Sequence, residues 1–240
     1  GTAPWRRMAP SNSASTSYER YNVSRERQDE FAVSSHRRAQ QAWESGHYVD
    51  LVTTVPHADL AIDEAIRPET NTEKLATLTT VFRPDGTVTA GNASPLNDGA
   101  SAMLIGSARA ADLTGRAPIA RIVARAAVAN DPQYFGFAPV EAANRALERA
   151  SLTWDDVDAV ELNEAFAAQA LACIDAWNVD PALVNAWGGA VAIGHPLGAS
   201  GTRVLATVAE RLRVSGERWG VAAICIGVGQ GLAVVVENVS

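Results

Sequence analysis

The chain has 240 residues, of which 47% are hydrophobic and 20% charged, the balance of a globular protein with one large domain or two smaller ones. Its formal net charge of −7 excludes a global electrostatic attraction for nucleic acid or anionic membranes. Apolar runs are shorter than the roughly 18 residues of a membrane span, and only two cysteines predict a reducing, cytoplasmic location rather than a disulfide scaffold.

The first part of the chain predicts little regular structure. Residues 9–17 are small and polar and predict a loop, whereas residues 24–43 predict a helix with a serine cap and a stop at Gly46. Apolar residues are sparse in this helix, so we expect it to lie on the surface. Residues 47–98 are irregular except for a short helix at 73–78, and a span of this length predicts a small excursion domain or lid.

The second part of the chain alternates predicted strands with predicted helices. Strands are predicted at 100–106, 157–162 and 184–186, a second apolar segment lies at 119–128, and helices are predicted at 140–150, 164–177 and 196–212, the last with a buried first half. Two final strands, at 220–226 and 232–237, are joined by a glycine-rich turn. This order predicts an α/β fold with a layered domain over about residues 115–240.

The segment densest in glycine, residues 188–201, holds a single histidine, His195. Gly194 lets the backbone turn, and Pro196 suits the first position of a following helix. The imidazole is therefore predicted at a helix N-terminus, where the partial positive charge favours a neutral ring and developing anions. A structural histidine in a tight turn is the alternative, but the flanking residues favour a role in proton transfer.

Cys225 ends an apolar strand directly before Gly227, Gly229 and Gly231. A buried cysteine is commonly a small hydrophobic residue, but these glycines leave main-chain N–H groups that can face a ligand. A strand rather than a helix follows them, which argues against a dinucleotide-binding turn. Cys173 lies in the middle of a predicted helix with no glycine near it, and we interpret it as part of the core.

Two further polar segments are candidates for a site. Asn163 is at the N-cap position of the helix predicted at 164–177, but α/β folds also bind ligands at such strand-to-helix junctions, and the residues do not decide between these roles. The turn at residues 87–99 is either a plain loop or the lining of a pocket. The four histidines do not pair with acidic residues at metal-ligand spacing, so no metal site is predicted.

Together these segments resemble the thiolase family. Residues 163–169, 188–201 and 225–231 are similar to the three C-terminal motifs of the family, in the family's order and at similar spacing. Residues 89–100 resemble the segment that leads from the family's loop domain back into its first core domain. The helix at 24–43 resembles the helix of that loop domain.

The resemblance implies three parts along the chain. Residues 1–98 would form an irregular α+β loop domain, which acts as a lid. Residues 99–114 would hold the last strand of the N-terminal core domain and a linker, and residues 115–240 a thiolase-like layered α/β/α C-terminal domain.

The resemblance also implies reversible Claisen chemistry, in which a 3-ketoacyl-CoA is cleaved by CoA or two acyl-CoAs condense. Coenzyme A would be a co-substrate, and no cofactor would be bound. His195 would activate the nucleophilic cysteine and bind the thioester oxygen, and Cys225 would move the α-carbon proton at a pKa brought into the useful range by the histidine. Asn163 would position a water in the oxyanion hole, the N–H of Gly227 would bind the acyl-enzyme oxygen, and Ser94 would contact the pantetheine arm.

One departure from the family pattern changes the expected activity. Thiolases acylate a second cysteine in their N-terminal core domain, and neither Cys173 nor Cys225 matches it. We therefore expect the chain to be inactive alone, and to work as a homo-oligomer or with a partner that supplies the N-terminal half. A non-catalytic thiolase-like subunit that binds acyl-CoA or scaffolds a partner is one alternative, and a hydrolase that uses Cys225 with His195 is another.

Overall fold

A computed structural model describes residues 20–58 and 60–240 of the chain. The helices are α1 (Arg25–Glu44), α2 (Thr72–Ala76), α3 (Ala110–Thr114), α4 (Ala138–Ala150), α5 (Ala167–Trp177), α6 (Ala190–Ile193) and α7 (Leu197–Ser215). The strands are β1 (Ala120–Ala129), β2 (Ala159–Leu162), β3 (Trp219–Ile226) and β4 (Gln230–Asn238), and 3₁₀ turns lie at Pro132–Phe137 and Trp154–Asp156. The loop predicted at residues 9–17 lies outside the described residues.

The four strands form one sheet in the order β1-β4-β3-β2. β4 pairs antiparallel with both β1 and β3, whereas β2 and β3 are parallel. The glycine turn between β3 and β4 places Val228 and Gly229 at positive φ, 69° and 91°. Because β2 and β3 are parallel neighbours, their carboxyl ends meet at the same edge of the sheet.

Helices cover both faces of this sheet. Successive side chains of a strand point to opposite faces, so Val221 and Ala223 of β3 belong to the core formed with α4 and α5. Ala222 lies between them in sequence and packs in a second core with Val208 of α7. This layering confirms the predicted α/β/α fold class.

Helix α1 begins where the sequence predicts, because the Ser24 side chain accepts a hydrogen bond from the main-chain N–H of Arg27 at 3.3 Å. The helix lies at the surface, with Glu30, Arg37 and Gln41 exposed, but one of its faces is buried. Its buried face includes the polar residues Gln28, Asp29, Ser35 and His36. These side chains form hydrogen bonds with residues outside the helix. A buried face that is polar cannot be predicted from the spacing of apolar residues.

The strand predicted at residues 100–106, within the part assigned as 99–114, is not formed. Leu104 and Ile105 are 74% and 65% exposed, and none of the described strands pairs with this segment. A single extended segment has neither ladder hydrogen bonds nor a face to pack against, so apolar composition alone does not make it a strand. The domain boundaries themselves stay a prediction.

Three further local predictions differ from the structure. α5 begins at Ala167 with Phe166 as its N-cap, so Asn163 is not the helix cap. The predicted strand at 184–186 is reduced to a single bridge between Val160 and Val184. The first turn of α7 is less buried than predicted, since Leu197 is 72% exposed.

Replacing Gly188 by alanine tests the packing of helix α1 against the glycine-rich segment at residues 188–201. Gly188 has a φ of 80°, and a Cβ there would lie 2.7 Å from the main-chain nitrogen of Ala39 and from the carbonyl oxygen of Ser35. The matched control is Gly216→Ala, which has a similar φ of 74° but no heavy atom within 4 Å of the added Cβ. We expect the control to lose about 1 kcal/mol and Gly188→Ala about 3 kcal/mol of unfolding free energy in urea titrations. Equal losses would contradict the close approach.

Candidate active site

The candidate residues collect where β2 and β3 end. Asn163 follows directly on β2, and its main-chain N–H donates to the carbonyl of Ala223 at 2.9 Å, which extends the parallel ladder by one residue. Cys225 is the penultimate residue of β3. The carboxyl ends of parallel strands are where open α/β sheets bind their ligands.

The imidazole of His195 is contacted at both of its nitrogens. Its Nε2 lies 3.2 Å from Nδ2 of Asn163, and its Nδ1 lies 2.7 Å from Oγ of Ser200 in the first turn of α7. Gly194 makes the turn before it with a φ of 86°, and Pro196 is the N-cap of α7 rather than its first helical residue. The ring therefore lies at the N-terminus of a helix, beside a residue that the sequence places 32 positions away.

The main chain around His195 is fixed from two sides. The N–H of His195 donates to the carbonyl of Pro95 at 3.2 Å. On the other side, Nη1 of Arg203 in α7 donates to the carbonyl of Gly194 at 2.8 Å. These bonds hold the histidine turn between α7 and the segment that contains Pro95.

Burial sets the protonation state of the two candidate acid–base groups. It lowers the pKa of His195 to about 4, with the nearby positive charge of Arg203 as a second cause, so the imidazole is neutral near pH 7. It raises the pKa of the Cys225 thiol to about 12. The expectation is that His195 would lower the pKa of this thiol towards neutral pH. The structure differs from it, because burial of the thiol raises that pKa. A thiol that keeps its proton is suited to donate it.

Cys225 reaches the site through apolar packing. It is buried in a small cluster with Phe135 and Ala165, against which Phe166 packs. Ala165 and Phe166 belong to the segment that also carries Asn163. The structure thus joins Asn163 to His195 by a polar contact and brings Cys225 to the same segment by hydrophobic contact.

Gly227 lies two residues after Cys225, and Ser94 is hydrogen-bonded to Ala165. A Cβ on Gly227 would meet no heavy atom within 4 Å, so the turn after Cys225 borders open space. The main-chain N–H and the hydroxyl of Ser94 both donate to the carbonyl of Ala165, at 3.1 and 3.0 Å. The Ser94 oxygen keeps its lone pairs, so it would meet a ligand as an acceptor.

Reasoning from the sequence missed the buried carboxylate of Glu164, which is 1% exposed. Its Oε2 accepts hydrogen bonds from the Ser35 hydroxyl at 2.7 Å and from the N–H of Val191 at 3.1 Å, and its Oε1 accepts from Nδ2 of Asn185 at 2.8 Å. Burial raises the pKa of Glu164, and these hydrogen bonds oppose that rise. The available signal was a carboxylate two residues after a predicted strand and directly before the apolar residues Ala165 and Phe166, because a carboxylate that becomes buried there needs partners.

Asn163 carries one unusual feature. Its Oδ1 is buried and has no hydrogen-bond partner in the structure. Four other buried side-chain atoms of the described residues also have no partner, but Asn163 Oδ1 is the one beside His195, where it is free to accept a hydrogen bond from a bound molecule.

A cavity of about 270 Å³ lies between α1, residues 65–95 and Val191 of α6. Ala93 and Pro95, which flank Ser94, line it together with His36, Leu75 and Val191. The His36 ring contributes to its wall while its Nδ1 accepts the N–H of Arg67 at 3.2 Å. The cavity therefore opens next to the segment that holds His195.

Residues 20–58 and 60–240 contain no group of three or more His, Cys, Asp or Glu side chains arranged to hold a metal ion. Within the same part of the chain, no helix combines the length and the apolar character needed to cross a membrane.

Two family models match the chain. The model described as the thiolase C-terminal domain matches residues 116–238, and the model described as the thiolase N-terminal domain matches residues 7–109. The 3-ketoacyl-CoA thiolases of Marinomonas sp. (strain MWYL1) and Yersinia enterocolitica are 46% and 47% identical over 230 residues. These alignments cover 91% of this chain and 59% of each relative, so the chain spans about three-fifths of their length.

Solved structures agree with these matches. The Bacillus anthracis acetyl-CoA acetyltransferase has a TM-score of 0.90 at 38% identity, covering 95% of this chain and 60% of its own. Human mitochondrial 3-ketoacyl-CoA thiolase in complex with CoA has a TM-score of 0.91 at 41% identity, covering 94% of this chain and 58% of its own.

Removing the Glu164 carboxylate is expected to destabilise the chain strongly. Glu164→Ala leaves three buried donors without an acceptor, which should lower the free energy of unfolding by about 3–5 kcal/mol. The matched control is Glu141→Ala, which removes an exposed carboxylate that pairs only with Arg145 in α4 and should cost less than about 1 kcal/mol. Urea titrations of both variants measure the difference in the free energy of unfolding. Similar small losses would show that the Glu164 hydrogen bonds do not stabilise the fold.

Proposed function

The chain belongs to the thiolase family, and we propose that it carries the His195, Asn163 and Cys225 part of a thiolase-type acyltransferase. The reaction would be the CoA-dependent cleavage of a 3-ketoacyl-CoA or the reverse condensation of two acyl-CoAs. The contact of 3.2 Å between His195 and Asn163 supports this proposal most directly. It places a neutral imidazole beside a buried amide whose oxygen has no partner within the protein.

In this mechanism His195 accepts the proton of a nucleophilic thiol at Nε2. The resulting imidazolium then donates a hydrogen bond to the thioester oxygen, together with a water held by Asn163. The low pKa of His195 supports this order of events, because the ring is neutral before the thiol arrives. The N–H of Gly227 would stabilise the oxygen of the acyl-enzyme, and the open space at that turn supports this role.

Cys225 would exchange the proton of the α-carbon. In the cleavage direction, the carbon–carbon bond breaks to leave an enolate, and the thiol of Cys225 protonates its carbon. The resulting thiolate then takes the proton of the incoming CoA thiol, which restores Cys225. A thiol with a pKa of about 12 holds its proton until such a strong base is formed.

The nucleophile of this reaction would come from outside these 240 residues. The chain has two cysteines, and both are free thiols and buried. Cys173 lies in the core, as the sequence predicts, with its Sγ 3.4 Å from the carbonyl of Gly136. Burial raises its pKa, so it is neither accessible nor ionised. We therefore propose that the chain alone does not turn over.

Exposed apolar side chains support a covering partner. Leu197 in the first turn of α7, Leu96 directly after Pro95, and Leu104 and Ile105 in the segment that follows are each more than 60% exposed. Such a group of side chains is typical of a surface that another part of an assembly covers. The partner would be the N-terminal part of a thiolase, within a homo-oligomer or a split enzyme, in the cytoplasm. The proposal keeps a lid at 1–98 and a C-terminal domain at 115–240.

Coenzyme A would lie along the lid side of the site. Ser94 donates to Ala165, and its neighbours Ala93 and Pro95 line the cavity of about 270 Å³, so we propose that a pantetheine arm runs from the cavity past Ser94 to Cys225. A human mitochondrial relative has been solved with CoA bound. CoA acts here as a co-substrate, and the proposed steps need no bound cofactor.

A non-catalytic subunit that binds acyl-CoA or scaffolds a partner is the second candidate function. The burial of both thiols favours it, since neither can be acylated as the chain stands. The two functions differ in one outcome. A catalytic part gains turnover when a thiolase N-terminal part is supplied, whereas a binding subunit retains CoA without turnover.

The test is to combine this chain with the N-terminal part of the Marinomonas relative and to measure thiolysis of acetoacetyl-CoA. His195→Ala should lower kcat by about a hundred- to ten-thousandfold, because the nucleophile loses its base. The matched control is His57→Ala, an exposed histidine of the lid, which should leave kcat unchanged. Unchanged turnover in His195→Ala would remove this residue from the mechanism, and CoA binding without any turnover would favour the second function.

Cys225→Ser separates the two thiol steps in the same reconstituted enzyme. A serine hydroxyl is a much weaker acid than a thiol, so we expect turnover to be lost while the supplied cysteine is still acylated. Intact mass after exposure to acetyl-CoA measures that acylation. Cys173→Ala serves as the control and should keep turnover. Loss of acylation in Cys225→Ser would show that Cys225 has a different role.

A further inference from the structure

Ser200 contacts the candidate base but has no part in the steps above. It is fully buried in the first turn of α7. Its Oγ lies 2.7 Å from Nδ1 of His195 and 3.0 Å from the carbonyl oxygen of Pro196. The opposite ring nitrogen, Nε2, lies 3.2 Å from Nδ2 of Asn163.

These three contacts fix where the imidazole proton lies. A serine hydroxyl has one proton to donate and lone pairs that accept. When Ser200 donates to the carbonyl of Pro196, its oxygen accepts the Nδ1–H of His195. The Nε2 lone pair then accepts an N–H of Asn163, and every contact has one donor and one acceptor.

The other tautomer leaves a costlier defect. With the proton on Nε2, Ser200 must donate to Nδ1, and the Asn163 amide must rotate so that its oxygen accepts from Nε2. This rotation moves the NH₂ group to the buried position where Oδ1 has no partner. Buried N–H groups without an acceptor are rarer in proteins than buried carbonyl oxygens without a donor, so the first arrangement is favoured.

We propose that Ser200 is a positioning residue that holds the proton of neutral His195 on Nδ1, so that Nε2 stays unprotonated and acts as the acceptor next to Asn163. The consequence for catalysis rests on the proposed function. The S–H bond of a thiol breaks, its proton bonds to Nε2, and a thiolate and an imidazolium result. The imidazolium keeps its Nδ1–H on Ser200 and gains an Nε2–H that can donate to an oxyanion.

The tautomer can be read in the chain as it exists, by long-range ¹H–¹⁵N correlation of the histidine rings near pH 7. At this pH His195 is neutral, because burial lowers its pKa to about 4. A His195→Gln variant assigns its signals. We expect Nδ1 at the shift of a protonated nitrogen and Nε2 at that of an unprotonated one.

Two serine variants show whether Ser200 is the cause. In Ser200→Ala, the two nitrogen signals should move towards each other as the tautomers mix. The matched control is Ser101→Ala, which removes a neighbouring hydroxyl that donates to the carbonyl of Ala199 at 2.8 Å, and it should keep the wild-type pattern.

Two results would overturn the proposal: a wild-type His195 that carries its proton on Nε2, or a Ser200→Ala variant with an unchanged tautomer. If Ser200→Ala does not fold, the wild-type spectrum still decides. The measurement needs no turnover, so its failure is distinct from a failure of the proposed acyltransferase activity.

Discussion

The buried carboxylate of Glu164 is the interaction on which the candidate site depends. It accepts hydrogen bonds from Ser35 in the lid helix, from Asn185 beside β2, and from the N–H of Val191 in α6. A carboxylate removed from water is stable only with such donors, so the three elements are held together at one point. Asn163 precedes Glu164 directly, and α6 leads directly into the His195 turn. The same carboxylate therefore fixes both sides of the contact between Asn163 and His195.

Asn185 extends this constraint to the end of the sheet. Its side-chain amide accepts from the N–H of Leu162 and donates to the carbonyl of Leu162, both at 2.8 Å, so it satisfies β2 as a neighbouring strand would. The end of β2 is thus held by a side chain on one edge and by β3 on the other. This rigidity matters because a base and an oxyanion donor work only when their positions are set before the substrate binds.

The sequence predicts the α/β order of residues 115–240 because strand and helix periodicities are strong there and glycines mark the turns. The buried polar face of α1 is not predictable in this way, since the partner of Ser35 is Glu164, whose carboxylate lies 129 positions away in sequence. The strand prediction at 100–106 is wrong for the opposite reason. The segment is apolar, but its composition does not show whether a neighbouring strand is present to pair with it. His195, Asn163 and Cys225 are found as chemical types, but the structure is needed to show that Cys225 lies in an apolar cluster and keeps its proton.

We propose that this chain holds the acid–base half of a thiolase-type site and lacks an accessible nucleophile. The decisive measurement is thiolysis of acetoacetyl-CoA by the purified chain, with intact mass recorded after exposure to acetyl-CoA. Burial raises the pKa of both Cys173 and Cys225, so we expect no turnover and no acetyl adduct. Turnover with an acetyl group on either cysteine would show that the chain is self-sufficient and would contradict this proposal.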